Sequence, residues 1–367
     1  MRQLLRRAAA LAAAVLATLG LLELGARVAV ERGLLRGVPP ASRYAHYWWG
    51  GHPVFGVWRR PNAEIQATTP CFDVTYRTNS VGARDAERPR EATGPRVVVL
   101  GDSFLAGWGL EIDQRLSNRL EAETGVPHLN FAMDHFGPYQ SFLAYHELAR
   151  GYAHDAVLFG ILPANDFRDL DFVLAERMGA YEYRYRPYLV GDPPEFVPFD
   201  YREAGWSRFL RYHSWLWNAL LVARKPTGSG ILSATPEEIE RLPPDARRAP
   251  SWFYDYGDRQ VQLLEAVLER LARDAQGKRV AVLLLPTLWD FPRLALSGSD
   301  PLAERLRPVT DRLGFQLVDL LPAMAAARPD PRIYTLSCDY HWTSEANAVA
   351  AELVREALGP GFFGARP

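Results

Sequence analysis

Four consecutive apolar residues, Val97-Val98-Val99-Leu100, run straight into Gly101-Asp102-Ser103, and a helical pattern takes over from Phe104. A β-branched run this short and this uniformly apolar suits a strand buried on both faces of a parallel sheet. Gly101 lets the backbone turn sharply where that strand ends. Ser103 is then left at the carboxyl edge of the sheet, where open α/β folds place their ligands. A serine in that position has two readings. It is an N-cap for the helix that follows, or a nucleophile if a base elsewhere in the chain takes its proton.

The rest of the chain repeats the alternation that this run begins. Strands are expected at 96–100, 127–131, 155–161, 279–285 and 315–319, and helices at about 113–124, 138–150, 256–276, 301–313 and 344–358. Strands alternating with helices predict a parallel sheet covered on both faces. Right-handed crossovers make it a flavodoxin-like three-layer α/β/α fold with five strands. With 367 residues, 48% of them hydrophobic, the chain has ample material for such a core. Between the third strand and the helix leading to the fourth lies a long excursion, roughly 167–255. It is crowded with aromatics: Tyr181, Tyr183, Tyr185, Tyr188, Phe196, Phe199, Tyr201, Trp206, Trp215 and Trp217. Long insertions over the catalytic edge commonly shape a substrate site. The competing expectation is that most of these rings form a small core of the insertion's own.

The N-terminus carries Arg2, Arg6 and Arg7, then an uncharged run from Ala8 to Leu22, with Glu23 and Arg27 beyond it. The segment is apolar on every side, unlike an amphipathic surface helix, and lacks small residues at a cleavage site. An uncleaved signal anchor over residues 1–35 is therefore expected, with a cleaved secretory signal as the alternative. The basic end would stay cytoplasmic, which places everything after about residue 30 outside the cytoplasm, at a bacterial inner membrane. Residues 36–92, rich in proline, glycine and aromatics, read as turns and short extended pieces. A strand is expected within Cys71–Thr78 and a turn at Asn79-Ser80-Val81-Gly82-Ala83-Arg84-Asp85. In an oxidising compartment, Cys71 and Cys338 either form a disulfide or remain two partly buried thiols.

A net charge of −1 supplies no field for nucleic acid, and no basic cluster is interleaved with aromatics as a nucleic-acid groove requires. Phosphate-loop, dinucleotide-binding and His-Glu-x-x-His zinc motifs do not occur, so no cofactor is implied. Of the histidines, His341 alone follows a carboxylate, Asp339, at close spacing near the end of the α/β body. An imidazole there can take a serine's proton and return it to a leaving group.

Gly101-Asp102-Ser103 after a hydrophobic strand resembles the nucleophile block of the SGNH/GDSL hydrolases, and three further blocks follow in that family's order. The second is Asn130-Phe131-Ala132-Met133-Asp134-His135-Phe136-Gly137. There the family's oxyanion-hole glycine aligns with His135, and a second frequent glycine aligns with Gly137. The third is Pro163-Ala164-Asn165-Asp166, in which Pro163 replaces a glycine and Asn165 matches the asparagine that donates to the oxyanion. The last is Cys338-Asp339-Tyr340-His341-Trp342, one residue shorter between Asp and His than the usual form. That spacing is similar to the motif of SGNH-like proteins that acetylate exopolysaccharides. The Asn-Ser-x-Gly-x-Arg-Asp stretch at 79–85 is also similar to a segment in membrane-anchored bacterial relatives.

The resemblance spans roughly 94–358, within a domain expected over 93–360. It implies Ser103 as nucleophile, His341 as base and Asp339 as its orienting partner. The backbone of Ser103, the residues at 135 and 137, and Asn165 would form the oxyanion hole. The implied activity is cleavage of an acyl ester of a carbohydrate or lipid. Transfer of the acyl group to a cell-surface polysaccharide, or an idle fold that only binds, are the alternatives.

Overall fold

The computed structural model describes residues 1–32, 34–35, 49–69, 71–177, 186–198, 206–223, 251–337 and 339–364. They divide into two compact units. One comprises Met1–Trp49 with Arg202–Ser229, the other Gly50–Tyr201 with Gly230–Pro367.

The larger unit opens with two short two-stranded sheets. The first pairs β1 (Trp49–His52) with β2 (Gly56–Arg59), and the second pairs β3 (Glu64–Thr68) with β4 (Asp73–Arg77). The chain then runs through β5 (Val97–Leu100), α1 (Ser103–Ala106), α2 (Leu116–Thr124), β6 (His128–Asn130), α3 (Pro138–Glu147) and β7 (Ala156–Ile161). It continues through α4 (Pro163–Leu170), α5 (Phe172–Arg177), α6 (Asp258–Asp274), β8 (Arg279–Leu284), α7 (Asp290–Ser297) and α8 (Pro301–Leu313). The last elements are β9 (Gln316–Asp319), α9 (Leu320–Ala327) and α10 (Ser344–Phe363).

Strands β5 to β9 form one parallel sheet in the order β6-β5-β7-β8-β9. This is the flavodoxin-like three-layer architecture expected from the alternation. All side chains of β5 and β7 are buried, which accounts for their uninterrupted apolar sequences. The winding direction reverses between β5 and β7. Ser103 follows the first of these strands and Asn165 the second, so the two flank the topological switch point of the sheet.

Several boundaries differ from expectation for local reasons. The helix expected from residue 113 begins as a 3-10 turn at Ile112–Gln114, and α2 starts only at Leu116. The last helix runs on to Phe363, with a break where Gly359 takes φ 67°. Helices α7 and α9 were not among the expected elements. Pro292 and Pro322 both fall in the first turn, where a missing N–H costs no hydrogen bond.

The aromatic excursion is also corrected in part. Phe196 lies edge-on to Tyr139 and Phe142 of α3 at 5.3 and 5.6 Å, and Tyr188 packs edge-on to Phe172 of α5 at 5.4 Å. Phe196 therefore packs on the α/β body, while Tyr188 meets a ring that itself lies within the 167–255 excursion, as does Trp206, edge-on to Trp217 at 5.4 Å. Tyr181, Tyr183, Tyr185, Phe199 and Tyr201 lie outside the described residues. Cys71 is disulfide-bonded; Cys338, the chain's other cysteine, lies outside the described residues.

In the smaller unit, the helix Arg2–Glu31 is long and apolar enough to cross a membrane by length and composition, and its apolar stretch is unburied. Two short helices, Trp206–His213 and Trp215–Ala223, belong to the same unit.

Candidate active site

The strand-to-helix turn shows which residue caps the helix that follows β5. Gly101 adopts φ 154°, a value open to glycine and closed to most other residues. Asp102 stays extended, and its Oδ1 accepts the Phe104 N–H at 2.9 Å. Asp102 is therefore the cap of α1, which frees the serine from that duty. Ser103 occupies the first helical position, where an N–H has no acceptor one turn back. Its Oγ lies 2.8 Å from His341 Nε2.

The short spacing of Asp339 and His341 works through a local turn. Asp339 Oδ1 accepts the backbone N–H of His341 at 3.1 Å and also meets His341 Nδ1 at 2.5 Å. An aspartate that binds the amide two residues ahead is a self-contained Asx turn, and the same oxygen then reaches the ring of that residue. The loop is held from below by a short antiparallel bridge, with Leu336 N–H donating to His341 O at 2.9 Å and Thr343 N–H to Tyr334 O at 2.9 Å. Trp342 Nε1 donates to Pro286 O beyond β8 at 2.9 Å, so the tryptophan after the histidine fixes the loop to the sheet.

Trp108 was not anticipated. Its Nε1 donates to Asp339 Oδ2 at 2.9 Å. Each carboxylate oxygen thus has a partner of its own. Burial pushes the Asp339 carboxyl up, but His341 and Trp108 outweigh it and hold the group below its usual range. The imidazole sits among the rings of Tyr340, Phe104 and Trp108, at centroid distances of 4.4, 5.1 and 5.7 Å. Nothing in the sequence near Trp108 pairs it with a residue so far along the chain.

On the other side of Ser103, Asn165 Nδ2 donates to Asp102 Oδ2 at 3.2 Å. The cap of the serine helix therefore also orients the asparagine amide. His135 takes φ 66°, a left-handed conformation typical of glycine, and it is exposed. The backbone at 135 thus has a conformation that glycine adopts without strain. Gly137 is different. Its N–H donates to Gln140 Oε1 at 3.2 Å, which takes it out of any oxyanion hole. A Cβ there would lie 2.8 Å from Asp169 Cβ, so this glycine is needed for the close approach of α3 to α4.

The segment before β5 holds the site from behind. Arg84, fully buried, donates through Nη1 to Ala106 O at 2.7 Å and Gly107 O at 2.6 Å, and through Nη2 to Leu110 O. These carbonyls follow the serine helix. Arg59 Nη1 reaches Ala132 O at 2.9 Å, and Nη2 pairs with Asp134 at 3.0 Å, inside the second block. Arg115 joins Asp85 at 3.0 Å. Residues 59–85 therefore pack as part of the α/β body.

Acidic groups crowd the same region. Asp102 and Asp166 are both pushed up, by burial first, and each is further affected by carboxylates nearby. Asp169, paired with Arg168 at 2.8 Å and Arg186 at 2.7 Å, stays below its usual range because those guanidiniums outweigh its burial. Among the described residues no group of three or more His, Cys, Asp or Glu side chains is arranged to hold a metal ion.

A serine, a histidine and an aspartate hydrogen-bonded in one line, at the carboxyl edge of a doubly wound sheet, form the geometry of α/β serine hydrolases. No protein-family model and no curated protein matches the chain. Among solved structures, the chain is similar to phospholipase A1 from Streptomyces albidoflavus, with 11% identity, 72% of this chain and 100% of that one covered, and a TM-score of 0.41. It is similar to the lipase/acylhydrolase from Enterococcus faecalis, with 11% identity, 74% and 99% covered, and a TM-score of 0.38. A member of the lipolytic protein G-D-S-L family from Veillonella parvula gives 10% identity, 72% and 97% covered, and a TM-score of 0.38.

Proposed function

We propose that the chain is an SGNH-type serine esterase, tethered to a bacterial inner membrane by the helix Arg2–Glu31 with its α/β body outside the cytoplasm. The observation that carries the reading is the 2.8 Å contact of His341 Nε2 with Ser103 Oγ, backed by Asp339 on the other ring nitrogen. Ser103 Oγ attacks the ester carbonyl carbon while His341 Nε2 takes its proton. The tetrahedral oxyanion is received by the Ser103 N–H, the backbone at His135 and the Asn165 amide. Collapse breaks the bond to the alcohol, which leaves with the proton held by His341. Water, deprotonated by the same imidazole, then attacks the acyl-serine, and His341 returns that proton to Ser103 Oγ as the acyl–oxygen bond breaks and the acid leaves. The proposed substrate is a short acyl ester, O-acetyl foremost, of a carbohydrate or lipid.

One observation favours a second outcome for the same intermediate. The Asp-x-His-Trp spacing resembles that of polysaccharide O-acetylation proteins, in which a sugar hydroxyl replaces water as acceptor.

The test uses the full chain in detergent with a fluorophosphonate probe and p-nitrophenyl acetate. Labelling at Ser103 that Ser103→Ala and His341→Ala abolish is the expected result, with Asn165→Ala slower by about 100-fold or more. Adding sugar acceptors separates hydrolysis from transfer. A folded wild-type protein that neither labels nor turns over would leave a binding protein on the same fold.

A further inference from the structure

The helix Arg2–Glu31 contains one carboxylate between its arginine-flanked ends, and that carboxylate is occupied. Glu23 accepts from the Ser214 hydroxyl at 2.7 Å, from the Leu216 N–H at 3.2 Å and from the Trp215 N–H. All three donors stand at the start of the helix Trp215–Ala223, which lies in the same compact unit. That helix reads Trp-Leu-Trp-Asn-Ala-Leu-Leu-Val-Ala, without a charge, and its one polar side chain, Asn218, is buried. Leu220 remains 48% exposed, and Trp206 and Phe209 of the preceding helix are 69% and 63% exposed.

We propose that the helices Trp206–His213 and Trp215–Ala223 form a second membrane-seated element, a wedge in the outer leaflet held to the spanning helix by Glu23. This rests on the membrane-spanning reading of Arg2–Glu31. A hydrocarbon core about 30 Å thick takes about 20 residues at ~1.5 Å each. Counted from Ala8, that core ends near Arg27 and places Glu23 about one turn inside its outer edge. A carboxylate at that depth faces polar partners and not lipid, and the partners here are the first donors of the Trp215 helix. Whatever Glu23 holds lies at the depth of Glu23. Nine residues span roughly 14 Å, too little to cross, so the helix enters and does not traverse. The Arg27 guanidinium lies 6.0 Å over the Trp215 ring, an Arg–Trp pair of the kind that marks the boundary of hydrocarbon and headgroups. The chain leaves the α/β body for this element and returns to it. The body is thus fastened to the bilayer by its insertion as well as by its N-terminus.

The full chain, reconstituted in phosphatidylcholine–phosphatidylglycerol vesicles, tests this with an NBD label on single introduced thiols, kept non-reducing because Cys71 is disulfide-bonded. Leu16→Cys reports the spanning helix, Leu220→Cys the wedge, and Leu296→Cys, at a site 73% exposed on the α/β body, the solvent control. With lipids brominated on their acyl chains, labels at 16 and 220 are expected to lose at least half their emission and the label at 296 to keep it. Glu23→Ala should return the label at 220 to the level of the control. Quenching at 16 without quenching at 220 overturns the wedge and leaves the anchor standing. No quenching at 16 overturns the anchor, and this inference with it. Quenching at 220 that survives Glu23→Ala overturns the role of the carboxylate.

Discussion

Trp108 Nε1 donates to Asp339 Oδ2 at 2.9 Å, while Oδ1 of the same carboxylate faces His341. With only one residue between Asp339 and His341, the Asx turn fixes one oxygen and leaves the carboxylate plane free to swing about it. The indole removes that freedom. A hydrogen bond to a charged group contributes about 1.5–3 kcal/mol. Trp108→Phe, which keeps a ring beside His341 but loses the donor, is therefore expected to lower kcat for p-nitrophenyl acetate by roughly 10- to 100-fold. KM should change little, because the indole acts on the carboxylate. An unchanged kcat in a folded variant would show that the Asx turn alone orients Asp339.

Arg84 satisfies three carbonyls that end the serine helix and its following turn, and its guanidinium lies 4.1 Å over the Tyr76 ring. Burial pushes it down to about 10, so it remains charged at neutral pH. Arg84→Met strands those acceptors in the interior at about 1–3 kcal/mol each. A loss of at least roughly 3 kcal/mol, equivalent to about 6–12 °C in Tm for a body of this size, is expected by calorimetry. Arg84→Lys should recover only part of it, since an ammonium cannot present the planar fork.

Much of this architecture is legible in the chain because it rests on local pattern. The three central strands β5, β7 and β8 announce themselves as apolar runs, and Ser103, Asn165 and His341 each follow an element whose end a glycine, proline or turn marks. The illegible parts depend on distance. Trp108 meets Asp339, Arg84 meets the carbonyl of Gly107, and Glu23 meets Ser214, and no periodicity encodes such pairs. Gly137 misleads for another reason: alignment with a family position identifies a small residue, but whether its N–H or its missing side chain matters is settled only by Gln140 and Asp169 around it.

His135 separates side chain from backbone. At φ 66° a non-glycine residue is disfavoured by about 1–2 kcal/mol, and glycine relieves that while loosening the unfolded chain. His135→Gly is expected to leave stability within about 1 kcal/mol and turnover within about threefold, because only the N–H serves the proposed hole. His135→Val should lose about 1 kcal/mol or more, since a branched side chain fits this conformation worst. A collapse of turnover in the glycine variant would move the function to the imidazole.

His128 sets a pH limit on stability. It is buried in β6, with Nδ1 2.7 Å from Val126 O and no partner for Nε2. Burial pushes it down to about 4 from an ordinary value of 6.5, against smaller opposing effects of Val126 and Glu121. A depressed histidine stabilises the folded state fully above pH 6.5, and that contribution is lost as pH falls through 6.5 toward 4. The shift corresponds to roughly 3 kcal/mol. Buried carboxyls raised by their surroundings, such as Asp290 at about 6, act in the opposite sense over part of the same window, so the wild type alone does not isolate the effect. Urea unfolding of wild type and His128→Gln at pH 7, 5.5 and 4 does. The stability difference between them should shift in favour of the glutamine variant by roughly 3 kcal/mol across that range. A difference that stays flat would mean that His128 takes up its proton without leaving the folded state.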